Sequence, residues 1–151
     1  MDRRDSCRLN KLVFNDSKGA RMASYFDFDV KNKIIRCRLV GLVTDDSLRE
    51  HYRTIAQHVA ERPTYSGLLD MSGVTSFTAN AETVRELAQL PPTISDPNIP
   101  RVIVVGSDQI FGMARMFELQ GSDTRPNLHV VRTEKEALAI LGVTAPDFKP
   151  D

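Results

Sequence analysis

The sequence predicts an α/β domain whose mixed sheet opens with an antiparallel hairpin and continues through βα units, in the order β-β-α-β-α-β-α-β-α. Three observations carry that expectation. Residues 25–30, YFDFDV, and 34–41, IIRCRLVG, alternate apolar and polar side chains on either side of the turn residues Lys31-Asn32-Lys33. Residues 45–61 repeat their apolar positions at helical spacing instead. The run RVIVVGS, 101–107, is apolar without alternation, as suits a strand covered on both faces of a parallel sheet.

Residues 1–22 mix Arg, Asp, Ser and Asn around one apolar patch, Leu12-Val13-Phe14, and read as a poorly ordered arm or at most an extra edge strand. Met22 stands just before the first clear strand and is an alternative start, which would make the arm an upstream extension. The domain is expected over 23–143, with 144–151 as a polar tail. In the first strand Phe26, Phe28 and Val30 share one face and Tyr25, Asp27 and Asp29 the other; in the second, Ile35, Cys37 and Leu39 oppose Arg36 and Arg38. The outward face of the hairpin thus sets Asp against Arg, cross-strand pairs worth a few tenths of a kcal/mol.

Thr44 or Asp45 caps the first helix, whose Leu48, Tyr52, Ile55 and Val59 form one stripe, and Pro63 stops it. SGLLDMS, 66–72, follows as a short buried strand. Asn80 caps a second helix over 81–90 that turns Val84, Leu87 and Ala88 inward and ends at Pro91-Pro92. PPTISDPNIP, 91–100, holds four of the eight prolines and is a stiff surface loop, not a linker. Ser107 or Asp108 opens the third helix, DQIFGMARMFELQ, which Gly121 closes. LHVV, 128–131, is the last strand, and Thr133 with Glu136 forms a capping box for a final short helix ending at Gly142.

A chain of 151 residues makes one domain and buries enough of its surface to need no disulfides. Cys7 and Cys37 lie far apart and make neither a CxxC nor a metal-ligand spacing, so both are expected as reduced thiols, Cys37 in the core. No apolar run reaches the roughly 20 residues of a membrane span, and residues 1–22 lack the apolar centre of a secretory signal. A cytoplasmic protein is expected. Twenty basic residues balance twenty acidic ones, which argues against a nucleic-acid partner; six Arg and Lys fall in 1–22, leaving 14 against 17 beyond.

The strand end LLDMSGV, Leu68 to Val74, leads into a helix after the third strand, and with the order of elements it resembles the STAS (anti-sigma-factor antagonist) superfamily over about Tyr25 to Gly142. FGMARMFE, Phe111 to Glu118, is similar to the third helix of bacterial STAS-like proteins. The resemblance implies a STAS-like mixed sheet and a regulatory, non-catalytic domain that works through protein–protein contacts. In the regulatory members of that family, the strand runs on into an Asp-Ser-Ser-Gly turn whose serine, at the start of the following helix, is phosphorylated by a partner kinase. The matching residues here are Thr78-Ala79-Asn80-Ala81, so the usual phosphoacceptor is missing at the matched position. Thr78 or Ser76 is the candidate replacement, since a phosphate near a helix N-terminus is stabilised there; Asn80 as a plain N-cap is the simpler reading. Asp70 reads as a strand-end carboxylate accepting hydrogen bonds from the next loop.

No catalytic, cofactor or metal set is expected. His51 and His58 share a helix face but stand roughly 10 Å apart along the axis, too far to hold one ion, and His129 sits alone in a strand. All three are expected at the surface or hydrogen-bonded. Gly106-Ser107 lacks the glycines and the lysine of a phosphate-binding loop. Ile110, Phe111, Met113, Met116 and Phe117 make the third helix apolar over more than half its circumference, which suits core packing, a second subunit or an apolar ligand. Arg115 would meet an anionic group beside that patch. The candidate docking or ligand surface is therefore Ser76, Thr78, Asn80, Phe111, Met113, Arg115 and Met116. Expected partners are another protein and a second copy in a homodimer; the alternative is a carrier or sensor of a small apolar or lipid-like ligand.

Overall fold

A computed structural model of the chain describes residues 11–15, 19 and 21–150. Its six strands form one sheet in sequence order: β1 (Lys11–Asn15), β2 (Arg21–Asp29), β3 (Ile34–Val43), β4 (Ser66–Phe77), β5 (Arg101–Val104) and β6 (Leu128–Val131). The helices among the described residues are α1 (Asp45–Glu61), α2 (Ala81–Gln89), α3 (Asp108–Gln120) and α4 (Glu134–Leu141). Strands β1 to β3 are antiparallel and β3 to β6 parallel, so the sheet is mixed and opens with a hairpin, as the alternation in β2 and β3 requires. Within 1–22, residues 11–15 pair with β2 along the sheet edge and residues 21–22 begin β2; residues 1–10, with Cys7, and 16–18 and 20 lie outside the described residues.

Side-chain chemistry sets the helix ends. Thr44 and Ser47 close a reciprocal capping box on α1, while Asn80, Ser107 and Thr133 accept from the backbone amides of Thr83, Ile110 and Glu136 to start α2, α3 and α4. Gly142 ends α4 in the left-handed conformation, φ 72°, which costs a residue without a Cβ nothing. Helices α1, α2 and α3 cover one face of the sheet over Phe26, Cys37, Leu39, Met71, Ile103 and Val105. Helix α4 and the C-terminal segment cover the other, over Ile34, Leu68, Val102 and Val104.

That second cover differs from the outward, solvated hairpin face read from the sequence. Asp27 and Asp29 are 8% and 0% exposed. Asp27 makes two hydrogen bonds with Arg36, at 2.8 and 2.6 Å, and Arg36 also reaches Glu134 of α4 at 2.8 Å and lies 3.9 Å from the centre of the Phe148 ring. The hydrogen bond to Asp27 chiefly raises the guanidinium pKa further. Lys149 exchanges two backbone hydrogen bonds with Phe28, so residues 144–150 of the expected polar tail return to the hairpin, and Asp151 lies outside the described residues. Val30, expected inward, is 67% exposed because the turn already begins there.

Strand β4 also runs past the expected end at Ser72, to Phe77. Beyond Asp70 it pairs with β3 alone, and the register shifts twice, between Arg38 and Val40 and between Gly41 and Leu42. Gly41 serves that irregular stretch with φ 96°; a Cβ there would lie 2.6 Å from the carbonyl oxygen of Arg21. No helix among the described residues is long and apolar enough to cross a membrane.

Gly41→Ala is expected to cost about 3 kcal/mol, from backbone strain and the clash with β2, read by urea unfolding followed by circular dichroism; an unchanged midpoint would refute the strain. Burial alone would raise the Asp29 pKa, but hydrogen bonds from the Asn32 side chain and from the Asp147 and Asn32 amides outweigh it and hold the carboxyl below 3.8. With the folded value depressed, its stabilisation is complete above the ordinary value and lost as pH falls through the folded one. Asp29→Ala should lose about 3 kcal/mol at pH 7 and flatten that part of the acid limb.

Candidate functional site

The turn between β4 and α2 is built by two parallel strands ending together. Val43 and Phe77 are paired, and the amide of Thr78 donates to the carbonyl of Val43 at 2.8 Å, so the start of α1 and the start of α2 are set side by side. Asp45, in the first turn of α1, uses that proximity. Its Oδ1 accepts from the Asn80 amide at 2.9 Å and its Oδ2 from Asn80 Nδ2 at 3.4 Å, while Asn80 Oδ1 caps α2 through Thr83 at 2.9 Å. The hydrogen bond from the Asn80 backbone chiefly holds the Asp45 carboxyl below its ordinary value. Ser76, Thr78 and Asn80 are all exposed on this clamp.

Helix α3 adjoins the same turn. Gln109 Nε2 donates to the carbonyl of Phe77 at 3.2 Å, which joins the two halves of the surface expected from sequence. The α3 residues do not act as one patch, however. Met113 turns into the interior; Phe111 is covered by the Arg132 guanidinium at 3.9 Å; Met116 is half-buried; and Arg115 is engaged by Glu118 in an ion pair. Leu119, at the far end, is 64% exposed. Asp70 accepts from the amide of Ser72 at 2.9 Å, within β4 and not at its end.

A cavity of about 170 Å³ lies between the sheet and the layer formed by α1, α2 and α3. Its wall is apolar, with Ile55, Leu69, Met113 and Phe117 among the lining residues, yet three nitrogen-bearing side chains also line it: His51, Arg101 and Arg125. His51 corrects the expectation of a surface or hydrogen-bonded histidine. It stands three residues after Leu48 and four before Ile55, on the stripe that α1 turns inward, and is 4% exposed. Neither ring nitrogen has a hydrogen-bond partner among the described residues, and burial pulls its pKa down to about 4. His58, two turns on, stacks on Phe26 at 4.0 Å between ring centres, and His129 hydrogen-bonds Asn127 at 3.0 Å.

Arg125, 3% exposed, donates to the carbonyls of Ala88 and Leu90 at 2.9 Å each and to Tyr52 Oη at 2.7 Å, closing the C-terminus of α2. Arg101, 7% exposed, is less satisfied. Its Nη2 donates to the carbonyl of Asp96 at 2.9 Å, but Nε and Nη1 have no partner among the described residues. Burial, and next the charge of Arg125, lower its pKa. Neither arginine is among the site residues expected from the sequence. An arginine opening the apolar run RVIVV was the available signal for Arg101; nothing local marks Arg125.

Comparison with solved structures finds the same architecture elsewhere. An uncharacterised protein of the DUF3478 family with a SpoIIAA-like fold, from Shewanella loihica, matches with a TM-score of 0.52 at 13% identity, over 80% of this chain and 93% of its own. The Bacillus cell fate determinant SpoIIAA in the phosphorylated form matches with a TM-score of 0.48 at 14% identity, over 77% and 96%. No protein-family model matches the chain, and neither does any curated protein. The fold is SpoIIAA-like, the STAS-like arrangement that the order of elements implied.

Replacing the unpaired imidazole tests the polar account of the cavity. His51→Leu is expected to stabilise the protein by about 1–2 kcal/mol at pH 7, because the buried nitrogens now lack partners. The folded histidine takes up fewer protons than the unfolded one between pH 6.5 and 4, so the wild type loses stability as pH falls across that window, at up to about 1.4 kcal/mol per unit. The variant should lack that slope; an identical pH dependence in both proteins would refute the burial of a neutral His51.

Proposed function

We propose that this STAS-like domain is regulatory and non-catalytic, acts through contacts with other proteins, and has lost the phosphorylation switch of the family it resembles. One observation carries the reading: the residue matched to the phosphoacceptor, Asn80, is committed on three sides, to Asp45 through its amide and side-chain nitrogen and to Thr83 through its oxygen. The Asp45 carboxylate already places a negative charge at the start of α2, and a phosphate added beside it would be repelled. The turn is thereby held in one state, with Ser76 and Thr78 exposed next to α3 as a ready contact surface. A second copy of the chain is the first partner to test.

A second reading is favoured by the cavity beneath α1. An apolar space of about 170 Å³ with buried, unpaired nitrogens on its wall suits a small molecule, which would make the domain a sensor or carrier.

Native mass spectrometry is expected to return a dimer, and Thr78→Arg combined with Met116→Glu is expected to split it without altering the circular dichroism. A dimer that survives the pair of substitutions would overturn the assignment of this surface. Protein isolated from its own cells should carry no phosphate on Ser76 or Thr78; stoichiometric phosphate on either would mean the switch is retained. A retained mass of about a hundred daltons or more would promote the second reading over the first.

A further inference from the structure

The cavity wall has a composition that defines an occupant. Ile55, Leu69, Met113 and Phe117 offer only apolar contact, whereas Arg101 and Arg125 are buried cations that form no ion pair among the described residues, the charge of Asp96 reaching Arg101 only from beyond contact distance. Arg125 is answered by carbonyls and by Tyr52 Oη, so it is well hydrogen-bonded though not neutralised. Arg101 is neither: two of its three side-chain nitrogens are unpaired among the described residues. Burying a cation without a counter-charge is costly, and an unpaired donor adds to that cost. An anion in the cavity removes both penalties at once, and a carboxylate does so through charge-assisted hydrogen bonds to the guanidinium.

Size limits the rest of the molecule. An apolar cavity of about 150 Å³ is known to take benzene in another protein, so about 170 Å³ has room for one ring or a short chain and one small polar group. We propose that the cavity binds a small apolar carboxylic acid, of the size of benzoate, with its carboxylate against Arg101 and its apolar body among Ile55, Leu69, Met113 and Phe117. This assignment rests on the second reading above, that the cavity holds a small apolar molecule, and adds the chemistry of its head group.

Calorimetric titration of the full chain with benzoate and with benzyl alcohol, which keeps the ring and removes the charge, separates the two claims. Benzoate is expected to bind at least tenfold more tightly. The methyl resonance of Met113, in the wall, is expected to shift on titration, and that of Met116, outside it, to stay in place. Arg101→Gln should bring the two probes to equal affinity. Equal binding of both probes to the wild type would keep the apolar cavity and overturn the acid; no binding of either would overturn both. Benzoate binding that moves Met116 and leaves Met113 unshifted would place the anion elsewhere and also overturn the proposal. The comparison of probes on the wild type stands even if Arg101→Gln fails to fold.

Discussion

Strands β3 and β4 run parallel from Ile34 and Ser66 to Val43 and Phe77, and a parallel pair cannot be joined by a tight turn, so the chain must leave the sheet at Val43, cross one face as α1 and return at Ser66. The rest is placed by that crossing. It brings the starts of α1 and α2 together, where Asp45 meets Asn80, and it lays the far end of α1 on the hairpin, where His58 stacks on Phe26 and Arg62 lies 3.8 Å from the centre of the Phe28 ring. Helix α1 is thus held at both ends, and its middle, with His51 and Ile55, spans the cavity. The β4–α2 turn and the cavity therefore share one element, α1, which carries Asp45 at its start and His51 and Ile55 in its middle.

The two faces of the sheet settle their charges differently. On the face covered by α4, every buried charge meets an opposite one or a set of amides: Arg36 gathers Asp27 and Glu134, and Asp29 gathers Asn32 and Asp147. Such a network holds only when complete, because removing one member strands the others out of water. On the face covered by α1, α2 and α3, the buried charges are both positive and are answered by neutral carbonyls and a phenol. The first arrangement is a finished structural joint, whereas the second leaves hydrogen-bonding capacity unused inside an apolar layer.

The sequence disclosed what depends on local pattern. Period-two alternation located β2 and β3, the apolar run located β5, and Asn80, Ser107 and Thr133 marked their helices because a cap is a contact over three residues. The α3 surface was legible only in outline: the sequence showed a wide apolar arc but not that Arg132 covers Phe111 or that Met113 faces inward. Contacts between distant residues stayed hidden. Asp27 and Asp29 alternate as solvent-facing residues do, and their burial depends on Glu134, Asp147 and Phe148, more than a hundred positions later. His51 shares the inward stripe with Leu48 and Ile55, a spacing the sequence did show; that its ring nitrogens find no partner depends on distant residues and stayed hidden.

The return of the C-terminal segment to β2 also orders events during synthesis. Phe28 and Lys149 exchange backbone hydrogen bonds across 121 residues of chain, and Asp29 waits on Asp147 for one of its donors. While the ribosome is still making the chain, the β2–β3 hairpin can form early from local contacts, but one of its faces keeps its acids in water. That face closes only after residues 145–149 have left the exit tunnel. The flank of the sheet that carries Asp27 and Asp29 is thus completed by a segment whose own sequence carries almost no structure.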